Sequence, residues 1–355
     1  MKSKPARRPA RTLSLVATAL ALVVGASTAH AAEDRLTGLI EPVKASKPYR
    51  IGVTVVHLND DFYKGIVYGI EDEAKRSGVE VVQVSVAGAY GNVREQFAQL
   101  EAFKTLKVDV AVVSPAAYNG YDAALKGLKD AGIKVVAAGI PVNSASVAFG
   151  VTQDDTAIGR VLADEVCKTG TGGRVVTVPG PAGAEWARLR YVGFQDAIRK
   201  CPAVTFTEGA FGGALGLQHG LTTTSDYLIR YPDTKFVYTP EISLAMGAAQ
   251  AIRQQGKPAK VVSSSMVREA APMLKDGRLL AVVSEPGIIM GRLVVQYAIR
   301  QLDNKPTPGL VPADKSSPYP YFNVPTTLIT AANVDQHPFE IYEIPPASWK
   351  MPAIK

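Results

Sequence analysis

Residues 51–78 read IGVTVVHLNDDFYKGIVYGIEDEAKRSG, a strand and a helix in one run. Residues 51–56 are mostly apolar on both alternating faces, which predicts a strand covered by helices on both sides. Residues 59–61 supply candidate N-caps, apolar side chains then recur every fourth position between 62 and 74, and Gly78 is placed to end the helix. The run therefore predicts one β–α unit of a parallel sheet.

The same alternation repeats along most of the chain. In a first series we expect strands at 79–86, 108–113 and 133–138 and helices at 93–106 and 121–131. In a second series we expect a helix at 155–166, strands at 174–178, 204–207, 236–238, 261–263 and 279–283, and further helices beginning near Trp186, Gln218, Ser243, Arg268 and Ile288. Repeated units of this kind predict an α/β fold with two doubly wound parallel-sheet lobes.

The alternation is interrupted near Gln153, Glu285 and Phe322, and the chain of 355 residues exceeds the size at which single cores usually stop growing. We therefore expect two lobes joined by three crossings. The predicted divisions are an N-terminal arm at 32–48, an N-terminal lobe at 49–152 plus 286–322, a C-terminal lobe at 153–285 plus 323–340, and a C-terminal tail at 341–355. Prolines recur from 306 to 325, which favours an extended segment there rather than a helix.

The first thirty-one residues have the pattern of a secretory signal peptide. Five Lys and Arg residues precede an apolar stretch at 13–24, and Ala29-His30-Ala31 fits an A-x-A cleavage site. The apolar stretch is shorter than the ~20 residues that a membrane-spanning helix needs. We therefore expect secretion to the periplasm, with the mature chain beginning near Ala32.

The charge balance gives no indication of a nucleic-acid partner. Lys and Arg number 39 against 32 Asp and Glu, and the predicted signal peptide carries five of the basic residues. A mature chain this close to neutral lacks the clustered basic face that binding to nucleic acid needs. We expect no nucleic-acid partner.

The sequence lacks the common motifs for catalysis, cofactors and metals. It contains no G-x-S-x-G nucleophile elbow, no H-E-x-x-H zinc motif and no G-x-x-x-x-G-K-[ST] phosphate loop. The histidines beyond the signal, His57, His219 and His337, are far apart and lack the spacing of metal ligands. We expect no enzyme activity, no cofactor and no metal.

Cys167 and Cys201 are the only cysteines. Each follows a predicted helix, so both could lie at the same end of one lobe, and an oxidising compartment would permit a disulfide between them. Two buried free thiols are the alternative.

Ligands of open α/β sheets bind at the carboxyl ends of the strands, so the loop after each strand holds the candidate binding residues. Most candidates are large or polar. They are Asp60, Tyr63, Tyr90, Gln153, Asp154, Trp186, Arg188, Glu241, Ser265 and Glu285.

Several of these candidates have a structural alternative. Asp60 has the position of a helix N-cap, and Glu241 and Glu285 could be partners in a salt bridge at the hinge. Arg188 lies near a predicted helix start, which would itself attract negative groups of a ligand.

The export signal and the two doubly wound lobes resemble the type I periplasmic binding proteins, of which ribose-binding protein is the familiar member. Within that family the chain is similar to the TorT-like group of periplasmic sensors. The likeness rests on residues 87–90 (AGAY), 178–183 (VPGPAG) and 298–302 (AIRQL). Sugar-binding members usually end their fourth strand with an Asp-Arg pair, whereas Gly139-Ile140 stands there in this chain. The resemblance to ribose-binding protein also implies a ligand contact at Arg188, although Arg190 is close enough to be the equivalent residue.

The resemblance implies a protein that captures a small molecule between its lobes and closes on it by a hinge motion. Delivery to an ABC importer through a membrane permease is one expected role. A TorT-like role, in which the bound state is presented to a sensor histidine kinase in the membrane, is the alternative.

The candidate residues favour a polar ligand with an amine or quaternary ammonium group. Aromatic rings such as Tyr63, Tyr90 and Trp186 attract cations, and three carboxylates could neutralise one. Arg188 argues instead for a carboxylate or hydroxyl groups, so a zwitterion or a sugar-like polyol remains the alternative.

Overall fold

The computed structural model describes Met1, Leu36 and residues 38–354. The predicted signal peptide therefore lies, apart from Met1, outside the described residues. The first sheet contains six strands, all parallel, in the spatial order β11-β5-β4-β3-β1-β2. These strands are β1 (Arg50–Val55), β2 (Glu80–Val86), β3 (Val110–Val113), β4 (Lys134–Ala138), β5 (Val147–Thr152) and β11 (Tyr321–Asn323).

The second sheet repeats the same arrangement, in the order β12-β10-β9-β8-β6-β7, with only the β12–β10 pair antiparallel. Its strands are β6 (Gly173–Thr177), β7 (Val204–Thr207), β8 (Thr234–Tyr238), β9 (Lys260–Ser264), β10 (Leu279–Ser284) and β12 (Thr327–Ile329). In each sheet the second strand of the series, β2 or β7, lies at one edge, and all later strands are added on the other side of the first strand, β1 or β6.

Helices connect the strands. They are α1 (Asp61–Ser77), α2 (Val93–Thr105), α3 (Asp122–Asp130), α4 (Asp155–Lys168), α5 (Glu185–Ile198), α6 (Leu217–Arg230), α7 (Ile242–Gln254), α8 (Ala271–Lys275), α9 (Gly287–Leu302) and α10 (Phe339–Tyr342). Among these described helices, none is both long enough and apolar enough to cross a bilayer.

The chain passes between the two sheets after β5, after β10 and after β11. The predicted fold class, two doubly wound parallel-sheet lobes joined by three crossings, is therefore confirmed. We call the lobe built on the first sheet the first lobe and the other the second lobe.

Local signals in the sequence explain the first unit well. The Asp60 side chain accepts a hydrogen bond from the Tyr63 backbone N–H, and Gly78 ends α1 in the left-handed conformation (φ 78°). Glycine also lets α9 pack closely on α1, since a Cβ added at Gly69 would lie 2.2 Å from the Ile288 carbonyl oxygen.

A disulfide joins Cys167 at the end of α4 to Cys201 just after α5, with Cα atoms 5.9 Å apart. Of the two alternatives, the structure thus shows the pair. The bond fastens two helices that also pack against each other along their length, through Gly159 and Gly193.

The C-terminal segment returns from the second lobe to the first. Phe339 packs in the second lobe's hydrophobic core, while Trp349 packs on the first lobe, where its indole N–H donates to Glu71 at 2.8 Å. Ile354 then pairs with Val84 of β2. We call residues 339–354 the C-terminal strap.

The chain also folds back onto the first lobe at the described end of its N-terminal region. Leu36 and Ile40 are buried in the hydrophobic core of that lobe. The Val43 backbone N–H donates to Gln296 of α9 at 2.8 Å.

Candidate ligand-binding site

A chamber of about 750 Å³ lies between the carboxyl ends of the two sheets. The first lobe contributes residues 88–91 after β2, 116–117 after β3 and His57, Asn59 and Asp60 after β1. The second lobe contributes residues 181–183 after β6, 212–216 after β7 and Glu241 with Ser243 after β8. The chamber therefore occupies the place where open parallel sheets bind their ligands.

Asp60 and Glu241 face the chamber from opposite lobes. Each caps a helix: Asp60 accepts from the Tyr63 N–H at 3.0 Å, and Glu241 accepts from the Ser243 N–H at 2.8 Å. Both also line two small cavities that adjoin the chamber. The capping role and the lining role expected from the sequence thus coexist in the same side chains.

Burial changes the protonation of both carboxyls. It raises the pKa of Asp60 to about 6 and the pKa of Glu241 to about 7, and the charge of Asp60 raises the pKa of Glu241 further. Burial also lowers the pKa of His57. The chamber therefore holds two carboxyl groups whose charge depends on pH near neutrality and on any cation placed beside them.

An aromatic cluster closes the deep end of the chamber. The hydroxyls of Tyr63 and Tyr90 are 2.8 Å apart, and the Tyr63 ring meets His57 edge to face. Trp186 of the second lobe lies 6.2 Å from Tyr90, ring centre to ring centre. Ile140, which replaces the polar residues of the sugar-binding pattern, lines the same small cavity as these rings.

Arg190 lies behind this cluster and is 2% exposed. Its guanidinium donates to both carboxylate oxygens of Glu285 at 2.7 Å and to Asp155 at 2.9 Å. It also donates to the Pro240 carbonyl oxygen and the Ser264 hydroxyl. Because burial disfavours the charged carboxylate, the pKa of Asp155 rises to about 6 even though Arg190 opposes the change.

Two further predicted residues belong to this network rather than to the chamber wall. Gln153 donates to Glu285 at 2.6 Å, and Ser265 donates to the other oxygen of Glu285 at 2.6 Å. Asp155 and Glu285 lie at the first and second crossings, so the network lies where the chain passes between the lobes. Glu285 thus has the salt-bridge partner that the sequence offered as an alternative, and its role in binding a ligand stays a prediction.

The structure places Asp154 and Arg188 outside these cavities. Asp154 is exposed and caps α4 by accepting from the Ala157 N–H at 2.8 Å. Arg188 is exposed and donates to Glu185 on its own helix. Residues four apart share a helix face and residues two apart do not, so Arg190 rather than Arg188 lies beside Trp186.

Arg190 was only the alternative to Arg188 in the sequence, and His57 and Ser243 were not among the candidate ligand-binding residues. The period of α5 could have identified Arg190, since Trp186 was already a candidate. No sequence signal identified the glycine-rich segments of the chamber wall, because they contribute backbone atoms and space rather than side chains. Among residues 38–354, no group of three or more His, Cys, Asp and Glu side chains is placed to hold a metal ion.

Comparison with known proteins agrees with this geometry. The periplasmic binding protein domain matches residues 51–306. The substrate-binding protein of a sugar ABC transport system from Bordetella parapertussis 12822 is 55% identical, covers 90% of this chain and 100% of its own, and has a TM-score of 0.87.

Two curated relatives connect the chain to the groups it resembled. The ribose import binding protein of Bacillus subtilis (strain 168) is 27% identical over 269 residues, which cover 73% of this chain and 86% of that protein. The periplasmic protein TorT of Escherichia coli (strain K12) is 25% identical over 311 residues, which cover 86% of this chain and 85% of that protein. Since the domain match spans most of the chain and both sheets follow the expected order, the protein belongs to the periplasmic binding protein family, with the type I fold.

Proposed function

We propose that the protein captures a small polar solute between its lobes and closes on it by a hinge motion. It then delivers the solute to a membrane ABC importer from the periplasmic side. The observation that carries this proposal is the chamber of about 750 Å³, whose walls come from strand ends of both sheets. A ligand held there touches both lobes, so its binding favours the state in which they approach each other. No chemistry on the ligand is proposed.

Import rather than another use of the bound ligand is supported by the Bordetella relative, which belongs to a sugar ABC transport system and shares 55% identity. The lobe divisions proposed from the sequence, including the crossings near Gln153, Glu285 and Phe322, define the hinge about which closure would occur. Small-angle scattering checks it: the radius of gyration should fall at saturating ligand, and an unchanged radius would contradict closure.

The charge of the chamber favours a ligand with an amine or quaternary ammonium group, a zwitterion included. Asp60 and Glu241 line it, and no Lys or Arg is among its described lining residues. Arg190 cannot balance them because it is already paired with Asp155 and Glu285. Tyr90 adds an aromatic ring to the same wall.

A sugar-like polyol is the alternative ligand. The relatives named for sugar and ribose import favour it. Hydroxyl groups would donate to the same two carboxylates, so the cavity is chemically open to both classes.

A thermal-shift screen with choline, glycine betaine, D-ribose and D-allose separates the two classes. A ligand at 100 times its Kd should stabilise the fold by about 2.7 kcal/mol. We expect Glu241→Gln to weaken an amine ligand at least tenfold, because the neutral amide no longer balances the cation. Arg188→Gln is the matched control, since this exposed side chain lies outside the cavities. Stabilisation by a neutral sugar alone, unaffected by Glu241→Gln, would exclude the amine ligand and leave solute binding intact.

A sensory role is the second candidate, because TorT is similar over 86% of this chain. If the protein serves an importer, a strain that lacks it should lose uptake of the radiolabelled ligand. If the protein instead presents its bound state to a membrane histidine kinase, the same strain should lose the transcriptional response to the ligand while uptake continues.

A further inference from the structure

We infer that two buried glutamines of α2, Gln96 and Gln99, are positioning residues of the binding site: they hold the first lobe's wall of the chamber in the geometry that a ligand meets. This inference rests on the proposed solute-binding function. It deepens that function by assigning part of the affinity to side chains that are not among the chamber's described lining residues.

The buried face of α2 carries two amide side chains. Gln96 is 0% exposed and Gln99 is 7% exposed, and they share this face with Leu100 and Phe103, which pack in the first lobe's hydrophobic core. A buried amide loses its contacts with water, and its protein hydrogen bonds largely offset that cost. An apolar side chain would continue the face of Leu100 and Phe103 without the cost. The two amides are therefore better explained by the geometry that they impose than by packing.

Gln96 connects the first strand with the loop that follows the third strand. Its amide nitrogen donates to the Thr54 hydroxyl of β1 at 3.1 Å and to the Ser114 carbonyl oxygen at 2.9 Å. Its amide oxygen accepts from the Ala116 backbone N–H at 2.8 Å and from the Tyr121 hydroxyl. Ala116 lines the chamber, so one fully hydrogen-bonded side chain fixes the course of this part of the wall.

Gln99 connects the first strand with the second. It accepts from the Thr54 hydroxyl at 2.6 Å and donates to the Val86 carbonyl oxygen at 2.9 Å. Val86 is the last residue of β2, and the chamber-lining segment 88–91 begins two residues later. The second part of the first lobe's wall thus starts from a strand end that Gln99 holds.

The ends of these strands also support one another. The Gly91 N–H donates to the Ala116 carbonyl oxygen at 2.9 Å, which joins the wall segments after β2 and β3. The Ser114 hydroxyl donates at 2.8 Å to the carbonyl oxygen of Ala138, the last residue of β4. The carboxyl ends of four strands therefore belong to one network. Fully satisfied networks of this kind rigidify a structure, and a wall that is already rigid loses less conformational freedom when a ligand binds.

Gln96→Met tests the inference, with Gln296→Met as the matched control. Gln296 of α9 is also 0% exposed and also takes part in four hydrogen bonds, with the N-terminal arm and α1, but it is not among the chamber's described lining residues. Both variants leave buried polar groups without a partner, so both should lower the urea midpoint of unfolding. Hydrogen exchange with mass spectrometry should separate them. We expect exchange at 87–91 and 114–117 to become about tenfold faster in Gln96→Met and to stay unchanged in the control.

Tyr121→Phe is a milder second variant, because it removes a single hydroxyl from the network. Its control is Tyr297→Phe, since Tyr297 is equally buried and its hydroxyl donates to the Pro308 carbonyl oxygen at 2.7 Å. Exchange in the same two wall segments should rise about threefold in Tyr121→Phe and not in its control.

Calorimetry with choline, glycine betaine, D-ribose and D-allose measures the effect on binding. Affinity for each probe that binds the unaltered protein should fall about fivefold in Gln96→Met, because the looser wall must be ordered by the ligand. Gln296→Met should keep the affinity of the unaltered protein.

Equal exchange of the wall segments in Gln96→Met and Gln296→Met would overturn the inference, and so would faster exchange with unchanged affinity. The proposed function would stand in both cases, since it requires only that a solute binds and the lobes close. If the unaltered protein binds none of the four probes, the proposed ligand classes fail, and hydrogen exchange alone decides whether the glutamines hold the wall.

Discussion

At the scale of single residues, Arg190 connects the buried polar groups beside the crossings. It is in contact with two buried carboxylates, Asp155 and Glu285, each with a side chain 2% exposed. Arg190→Met would keep much of the side-chain volume and leave both carboxylates without their partner. Breaking a buried pair in this way costs about 3–5 kcal/mol. We expect a loss of that size in the free energy of unfolding, measured by urea denaturation followed by circular dichroism.

Arg188→Met is the control for this measurement, because Arg188 is exposed and pairs with Glu185 only at the surface. Surface pairs of this kind contribute about 0–1 kcal/mol. Equal losses of unfolding free energy in the two variants would show that the buried ion pairs of Arg190 stabilise the fold no more than the surface pair of Arg188.

These residues also show how far the site could be predicted. Strand ends are readable from the sequence, so Asp60, Tyr90, Trp186 and Glu241 were found, and the structure brings them to one cavity. Which of two nearby arginines turns inward follows from the period of α5, because Arg190 lies four residues after Trp186 and Arg188 only two. The buried partners of Arg190, Asp155 and Glu285, come from distant parts of the chain, so the network itself could not be predicted from local sequence.

At the scale of elements, the C-terminal strap connects both lobes on the hinge side. Arg268 pairs with Glu340 of the strap, and Glu343 accepts from Ser284 and lies against His337. Trp349 then fastens the strap to α1 by its hydrogen bond to Glu71 and its edge contact with Tyr68. The strap therefore ties the two lobes together beyond the three crossings.

Trp349→Ala should release this fastening and let the lobes separate further. We expect a larger radius of gyration without ligand and a several-fold faster ligand dissociation, since truncating a partly buried aromatic removes on the order of 1–3 kcal/mol of packing. Lys350→Ala, at the exposed neighbouring position, should change neither value. Scattering and stopped-flow release would measure them, and an unchanged dissociation rate would exclude a restraining role for the strap.

The sequence predicted the regular elements better than the irregular ones. Strand and helix positions around residues 51–138 and 155–302 agree with the structure to within a few residues, because each carries a clear period. Residues 147–152 were missed as a strand: this segment contains Gly150, where Tyr319 packs so closely that an added Cβ would lie 2.7 Å from its ring. The strap has no period at all, so its return to the first lobe depends on tertiary contacts that local sequence does not encode.

At the scale of the whole molecule, the cleft contains more buried acid than base. Asp60, Asp155 and Glu241 all have pKa values raised by burial, to about 6, 6 and 7. A carboxyl whose pKa is higher in the folded state binds protons more tightly there than in the unfolded chain. Its contribution to stability is therefore complete below the unfolded pKa and is lost as pH rises through the folded value.

The ligand-free protein should consequently lose stability between about pH 5 and pH 7.5, and Glu241→Gln should make that loss smaller. Raising the pKa of Glu241 from 4.5 to about 7 corresponds to a difference on the order of 3 kcal/mol across this range. His57 acts in the opposite sense, since burial lowers its pKa, so the difference between the unaltered protein and Glu241→Gln isolates the carboxyl.

Binding of an amine ligand should show the reverse trend, because only the ionised carboxylates attract a cation and their ionised fraction grows with pH. Urea unfolding and calorimetry at pH 5, 6, 7 and 8 measure the two trends together. If Glu241→Gln has the same pH profile as the unaltered protein, Glu241 is already ionised in the empty chamber, and the chamber carries a fixed negative charge instead of one that its ligand induces.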